Sequence, residues 1–183
     1  MDARLHHLQG APERLVRSDE PRPVAVALGS NLGDRGAHLR GACDRLQAFL
    51  GHLVVSPFID TVPEDVPPQP IFLNAAALGW SAASVRELLD RLLAIELAAG
   101  RTRPHPGAPR TLDLDLILVG GIVVDEPGVQ VPHPRFRERA FVLGPLAEIA
   151  PNLRDPVTGL TVRELLARLQ ARAGAVRSGR PGL

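Results

Sequence analysis

Polar and apolar positions alternate along Pro109–Gly121, PRTLDLDLILVGG, with the period of two that marks a half-buried strand. Thr111, Asp113 and Asp115 then share one face and Leu112, Leu114, Leu116 and Leu118 the other, and Gly120-Gly121 ends the run in a tight turn. Val24–Leu28 (VAVAL) is apolar without a break, as expected of a central strand buried on both faces. His52–Thr61 predicts a second strand. Phe72–Trp80 predicts another, with Phe72, Asn74 and Ala76 on one face and Leu73, Ala75 and Ala77 on the other. Elsewhere the period lengthens to that of a helix. Asp34 is placed to cap a helix to about Leu50, with Leu39, Ala42, Leu46, Phe49 and Leu50 inward. Ser84-Val85-Arg86-Glu87 is a capping box that opens a helix to about Gly100, with Leu88, Leu89, Leu92, Leu93, Ile95 and Leu97 as its apolar side. Glu138–Ile149 reads as a helix that Pro145 should kink or split, and the box Thr161-Val162-Arg163-Glu164 opens a last one. Ile122–Asp125 is expected to fold back on the Asp strand as a hairpin.

The elements thus run β-α-β-β-α-β, followed by the hairpin and C-terminal helices. That order fits an α+β sandwich of the ferredoxin-like type, helices on one face of a mostly antiparallel sheet. Residues 1–22, polar and proline-bearing, are expected to be a flexible extension, 23–173 the folded domain and 174–183 a flexible tail.

Composition narrows the chemistry. A net charge of +1 argues against a protein that grips nucleic acid through a broad basic face. All 21 basic side chains are Arg, so no P-loop or Schiff-base lysine exists, and any phosphate must be held by Arg, His, backbone or metal. Cys43 is the only cysteine and falls in a predicted helix, which excludes a disulfide framework. No apolar run is long enough to span a membrane and the N-terminus lacks the order of a signal peptide, so a cytoplasmic protein without membrane or nucleic-acid partners is expected, as a monomer.

Two carboxylates two residues apart on one strand face repel each other. Either a cation such as Mg²⁺ lies between them, shared with phosphates that Arg101, Arg103 and Arg110 would hold, or they belong to a solvated face paired with arginines across the sheet. Gly29-Ser30-Asn31, between a strand and a helix, is either a backbone cradle for phosphate or a plain turn. Asn74 is a satisfied structural amide or a group that reads a ligand, and Phe72 beside it stacks a flat ring or fills the core. Glu96 sits where the helix dipole disfavours a carboxylate, which suggests that it neutralises an Arg or helps a ligand. Prolines on both sides hold His133 in place.

Four blocks in this order, ALGSNLGD, FLNAA, IELAAGRTR with PRTLDLDLILVGG, and VPHPRFRERAFVLGPLAEIAP, resemble the hydroxymethyl-dihydropterin pyrophosphokinases of folate biosynthesis, over Val24 to about Leu169. The resemblance implies transfer of pyrophosphate from ATP to 6-hydroxymethyl-7,8-dihydropterin, with release of AMP. It implies two Mg²⁺ ions on Asp113 and Asp115, and a pterin site made by Thr61, Phe72, Asn74 and Phe141. Glu96, Arg101, Arg103, Arg110, His133 and Arg139 would serve the nucleotide, with Arg101 and Arg110 also catalytic. The chain departs from the family's pattern at Pro104-His105-Pro106-Gly107-Ala108-Pro109, a shorter and stiffer lid without the usual Trp and cation, and at Leu93, often Gln in relatives. The alternative expectation is therefore a catalytically impaired pterin- or nucleotide-binding relative.

Overall fold

The computed structural model describes residues 20–63, 68–102 and 107–178. In chain order the elements are β1 (Arg22–Ser30), α1 (Arg35–Gln47), β2 (Gly51–Val55), β3 (Ile59–Thr61), β4 (Phe72–Ser81), α2 (Val85–Ala98), β5 (Asp113–Val119), β6 (Val124–Glu126) and β7 (Val129–Val131). A 3₁₀ turn (Phe136–Glu138), α3 (Ala140–Ile149) and α4 (Val162–Ser178) follow. The main sheet has the order β2-β4-β1-β5, antiparallel throughout, with β3 continuing beside β4 after β2. The α+β class expected from the sequence is what the chain adopts.

Helices cover both faces of this sheet, not one. Val24, Val26 and Leu28 of β1 face Leu39, Ala42 and Leu46 of α1 and Leu88, Leu92 and Ile95 of α2. Ala25 and Ala27 face the opposite way, onto Phe136, Val142, Leu143 and Leu146, with Val162 and Leu165 of α4 behind them. The small side chains of β1 and β4 on that second face let α3 approach the sheet closely, and the unbroken apolar run of β1 is explained by its burial on both sides.

Several elements differ from the sequence reading for local reasons. The second strand is two, because Pro57 has no N–H to give the ladder; Ser56 Oγ instead accepts from the Ala76 N–H at 3.0 Å. A β-bulge on β5, where Ala25 faces Leu118 but Val26 faces Leu116, reverses the alternation, so Leu118 packs on the α3 side while Leu112, Leu114 and Leu116 pack on the α1 side. Leu93 and Leu97 are exposed on α2, whose buried stripe is narrower than its apolar one. β6 pairs with β7 in a separate two-stranded sheet and not with β5. Before α3 the break falls at Arg139, and Pro145 lies buried inside the helix. α4 runs through Gly174 to Ser178 where a tail was expected. Both capping boxes and the Asp34 cap form, the last accepting from the Ala37 N–H at 2.9 Å. Among the described residues no helix is long and apolar enough to cross a membrane.

The loop from α3 to α4 carries a fully buried carboxylate. Burial alone would push the Asp155 carboxyl up, but two bonds from Arg137 at 2.7 Å each, one from Thr158 Oγ1 at 2.6 Å and one from the Val157 N–H hold it below the usual carboxylate range. The folded-state pKa is therefore lower than the unfolded one. The stabilisation is complete above about pH 4 and is lost as the pH falls through the folded value. Asp155→Asn is expected to lower stability by about 1.5–3 kcal/mol at neutral pH, with the denaturation curves of variant and parent converging below about pH 4 in urea titrations.

Candidate active site

Three adjacent strands place the site. Antiparallel register sets Asn74 of β4, Gly29 of β1 and Asp113 of β5 in one row across the sheet, and Ala76, Ala27 and Asp115 in another. Cross-strand partners share a face, so the Asn74 amide and both carboxylates emerge on the α3 side, beyond the point where that helix begins. Gly29 separates them with bare backbone: a Cβ there would lie 2.7 Å from Asn74 Oδ1 and 3.6 Å from the Phe72 ring. The strand continues through Ser30, so Gly29-Ser30-Asn31 is not a helix-terminus phosphate cradle. The Asn31 N–H donates to the Arg110 carbonyl at 3.1 Å instead.

The resulting cavity has a volume of about 310 Å³. Thr61, Phe72, Asn74, Arg110, Asp113, Asp115, Arg139 and Phe141, all expected site residues, line it together. Asn74 Nδ2 donates to Thr61 Oγ1 at 2.6 Å, which aims the amide along the cavity wall. Each aromatic ring carries a guanidinium over one face, Arg110 over Phe72 at 5.1 Å and Arg139 over Phe141 at 5.6 Å.

The carboxylates are caged by arginines. Asp113 Oδ1 meets Arg101 Nη1 at 2.6 Å and Oδ2 meets Arg110 Nη2 at 2.7 Å; Asp115 Oδ2 meets Arg139 Nη1 at 3.2 Å. Arg101 is shared with Glu96, which is buried and whose Oε1 also accepts from the Leu114 N–H at 2.7 Å. Neutralising an Arg is thus one of the two roles its helix-end position suggested. Burial, and next the neighbouring Asp113 charge, raise the Asp115 pKa above the usual carboxylate range. His133 Nε2 lies 3.8 Å from Asp115 Oδ2, while its Nδ1 accepts from the Arg135 N–H at 3.1 Å; burial lowers its pKa. Arg103 and His105 lie outside the described residues.

Two features of the donor set bear on ligands. The buried Nε of Arg101 and of Arg110 and the Thr111 hydroxyl have no hydrogen-bond partner among the described residues, although such groups are ordinarily satisfied. A polyanion beside them would supply the acceptors. Among the described residues no three His, Cys, Asp or Glu side chains converge as a metal cage. Two carboxylates suit a hard cation that takes its other ligands from water and phosphate, and Mg²⁺ is bound in that manner. The residues present fit it.

Some lining residues were not singled out from the sequence, and Gly29 and Asn31, expected in a phosphate cradle or plain turn, take other parts. Arg135, Glu138 and Gln69 also line the cavity. Asn31 joins two loops, its Oδ1 accepting from the Arg110 N–H at 2.8 Å and its Nδ2 donating to Gln69 Oε1 at 2.8 Å. Gly29, expected in the turn after the strand, lies inside β1, where a glycine often marks close approach of a ligand or side chain.

An α+β sheet end that joins carboxylates and arginines to an aromatic, amide-lined cavity has the chemistry of an enzyme that handles an anionic ligand beside a flat ring. Comparison with known proteins agrees. The 7,8-dihydro-6-hydroxymethylpterin-pyrophosphokinase (HPPK) family model matches residues 25–151. The chain is 44% identical over 146 residues to the 2-amino-4-hydroxy-6-hydroxymethyldihydropteridine pyrophosphokinase of Methylorubrum extorquens, covering 79% of this chain and 91% of that protein. It is 42% identical to the Pseudomonas aeruginosa protein of the same name, covering 79% and 90%. A crystal structure of Plasmodium falciparum HPPK-DHPS superposes with a TM-score of 0.69 at 13% identity, over 85% of this chain and 46% of that longer one, which speaks for the fold alone. The chain belongs to the HPPK family and is, with it, a pyrophosphokinase.

Gly29→Ala tests the close approach of Asn74 and Phe72 to bare backbone. The added methyl must displace the Asn74 amide and break its bond to Thr61. Calorimetric affinity for a pterin ligand should fall by about tenfold or more, while ATP affinity changes less than threefold.

Proposed function

We infer that the chain transfers the pyrophosphoryl group of ATP to the 6-hydroxymethyl oxygen of 7,8-dihydropterin. A bond forms from that oxygen to the β-phosphorus, the bond from the β-phosphorus to the oxygen it shares with the α-phosphate breaks, and AMP leaves. The observation that supports this reading is the row Asn74–Gly29–Asp113, which brings the Asn74 amide and the Asp113 carboxylate into one cavity with Phe72 and Arg110. Proximity of this kind is most of what phosphoryl-type transfer asks of a protein.

In this reading Asn74 and Thr61 hydrogen-bond the pterin edge, and Phe72 and Phe141 stack its two faces once their guanidiniums turn to the phosphates. Arg110 and Arg139 hold the triphosphate with Arg101 beside them, and the nucleotide role expected of Arg103 belongs to the same reading. Glu96 serves the nucleotide through Arg101, whose orientation it sets. His133, positioned by its N–H bond to the Ile117 carbonyl at 3.0 Å, faces the same phosphates. Asp113 and Asp115 would hold two Mg²⁺ ions, whose chemistry there would be to neutralise the charge of the triphosphate. Before binding, the arginines pair with both carboxylates and offset the repulsion between them. The reading includes a ferredoxin-like frame, supported by the strand order β2-β4-β1-β5 with α1 and α2 as its two crossovers.

Product analysis tests the reaction. With ATP, Mg²⁺ and 6-hydroxymethyl-7,8-dihydropterin, AMP is expected to appear only when the pterin is present. ADP would mean single-phosphate transfer, and binding of both ligands without product would mean an impaired binder. Asp113→Asn and Asp115→Asn should each lower kcat by at least about 100-fold while the thermal midpoint holds or rises. Asn74→Ala should raise the pterin KM about tenfold and leave the ATP KM unchanged; equal effects on both would count against the pterin assignment.

A further inference from the structure

The segment His133–Arg139 delivers His133, Arg135, Glu138 and Arg139 to the site, yet its own secondary structure is slight. The 3₁₀ turn is three residues long, and neither it nor α3 has a side-chain N-cap. Two features tie the turn to the fold. Phe136 is fully buried under α3 and α4, and Arg137, turned away from the cavity between two arginine neighbours, makes the fork-to-fork pair with Asp155. Asp155 in turn sits in a closed loop: its N–H donates to the Leu160 carbonyl at 2.9 Å, and the Gly159 N–H donates to its carbonyl at 2.8 Å. A planar guanidinium held by two parallel bonds fixes rotation as well as distance. Arg139 follows two residues later, at the break into α3, where its guanidinium reaches both Asp115 and the Phe141 ring.

We propose that Arg137 and Asp155 are a positioning pair for the transfer reaction, setting the 3₁₀ turn so that Arg139 is aimed at the phosphate side of the cavity. Neither residue is itself part of the cavity lining. Their effect on the reaction passes through Arg139, and this inference rests on the pyrophosphokinase reading above. A general contribution to folding would add to the effect of losing Arg139, whereas a positioning role disappears once Arg139 is gone.

The test is a double-mutant cycle on the full chain. Arg137→Lys keeps the charge and leaves the Asp155 loop intact but cannot form the fork; Asp155→Asn serves if that variant does not fold. Either should lower kcat/KM for AMP formation by about tenfold in the parent and by less than about twofold in an Arg139→Ala background. Equal losses in both backgrounds would overturn the proposal. A readout without substrates separates this outcome from failure of the functional reading: the ¹H–¹⁵N signal of the Arg139 Nε–Hε group, assigned by its loss in Arg139→Ala. It should shift and sharpen in Arg137→Lys as the guanidinium leaves Asp115. An unmoved signal would overturn the proposal whether or not the parent makes AMP.

Discussion

The position of β1 between β4 and β5 is the constraint on which the rest depends. Its pairing puts Gly29 opposite both Asn74 and Asp113, and Ala27 opposite both Ala76 and Asp115. A one-residue slip on either side would turn Asn74 or the carboxylates into the α1 and α2 core, where an amide or a charge without a partner is costly. The apolar faces of the three strands make such a slip expensive in the same sense. Formation of the core and formation of the site are therefore one event, and the bulge near Leu116 lets β5 keep its carboxylates in place while its far end repacks.

Charge balance follows from that geometry. Three carboxylates, Glu96, Asp113 and Asp115, meet three guanidiniums, Arg101, Arg110 and Arg139, within one end of the sheet. Repulsion between Asp113 and Asp115 is offset by the arginines, and Glu96 fixes Arg101 from beneath with help from the Leu114 N–H. The unpartnered Nε atoms of Arg101 and Arg110 leave the cluster with donor capacity that an anion would use. In the proposed reaction these arginines would exchange their carboxylate and ring contacts for phosphate, so the cluster holds the positive charge at the cavity before a ligand arrives.

The walls of the cavity come from segments with little structure of their own. Asn31 clips the loop before β4 to the stretch before β5, and the Arg137–Asp155 pair clips the 3₁₀ turn to the α3–α4 loop. Both clips are side-chain hydrogen bonds to partners far along the chain. Phe72, Asn74, Asp113 and Asp115 thus sit on strands and Phe141 in the first turn of α3, while Arg110 and Arg135 sit on segments held by a few directed bonds.

What could be read from the chain alone was what depends on near neighbours. Strict alternation identified β5 and the shared face of Asp113 and Asp115, and the same period paired Phe72 with Asn74. Short-range capping chemistry located the starts of α1, α2 and α4 correctly. Four ordered blocks were specific enough to identify the family. Other features were decided only by contacts between distant segments. The Asn31 bond to Arg110 spans 79 positions and the Arg137 bond to Asp155 spans 18. Leu118 changed face because of a bulge that no periodicity announces, and the second helical layer exists because the small residues of β1 and β4 admit α3. Periodicity reports which way a side chain points from its own strand or helix. Only the packed sheet determines what stands opposite it.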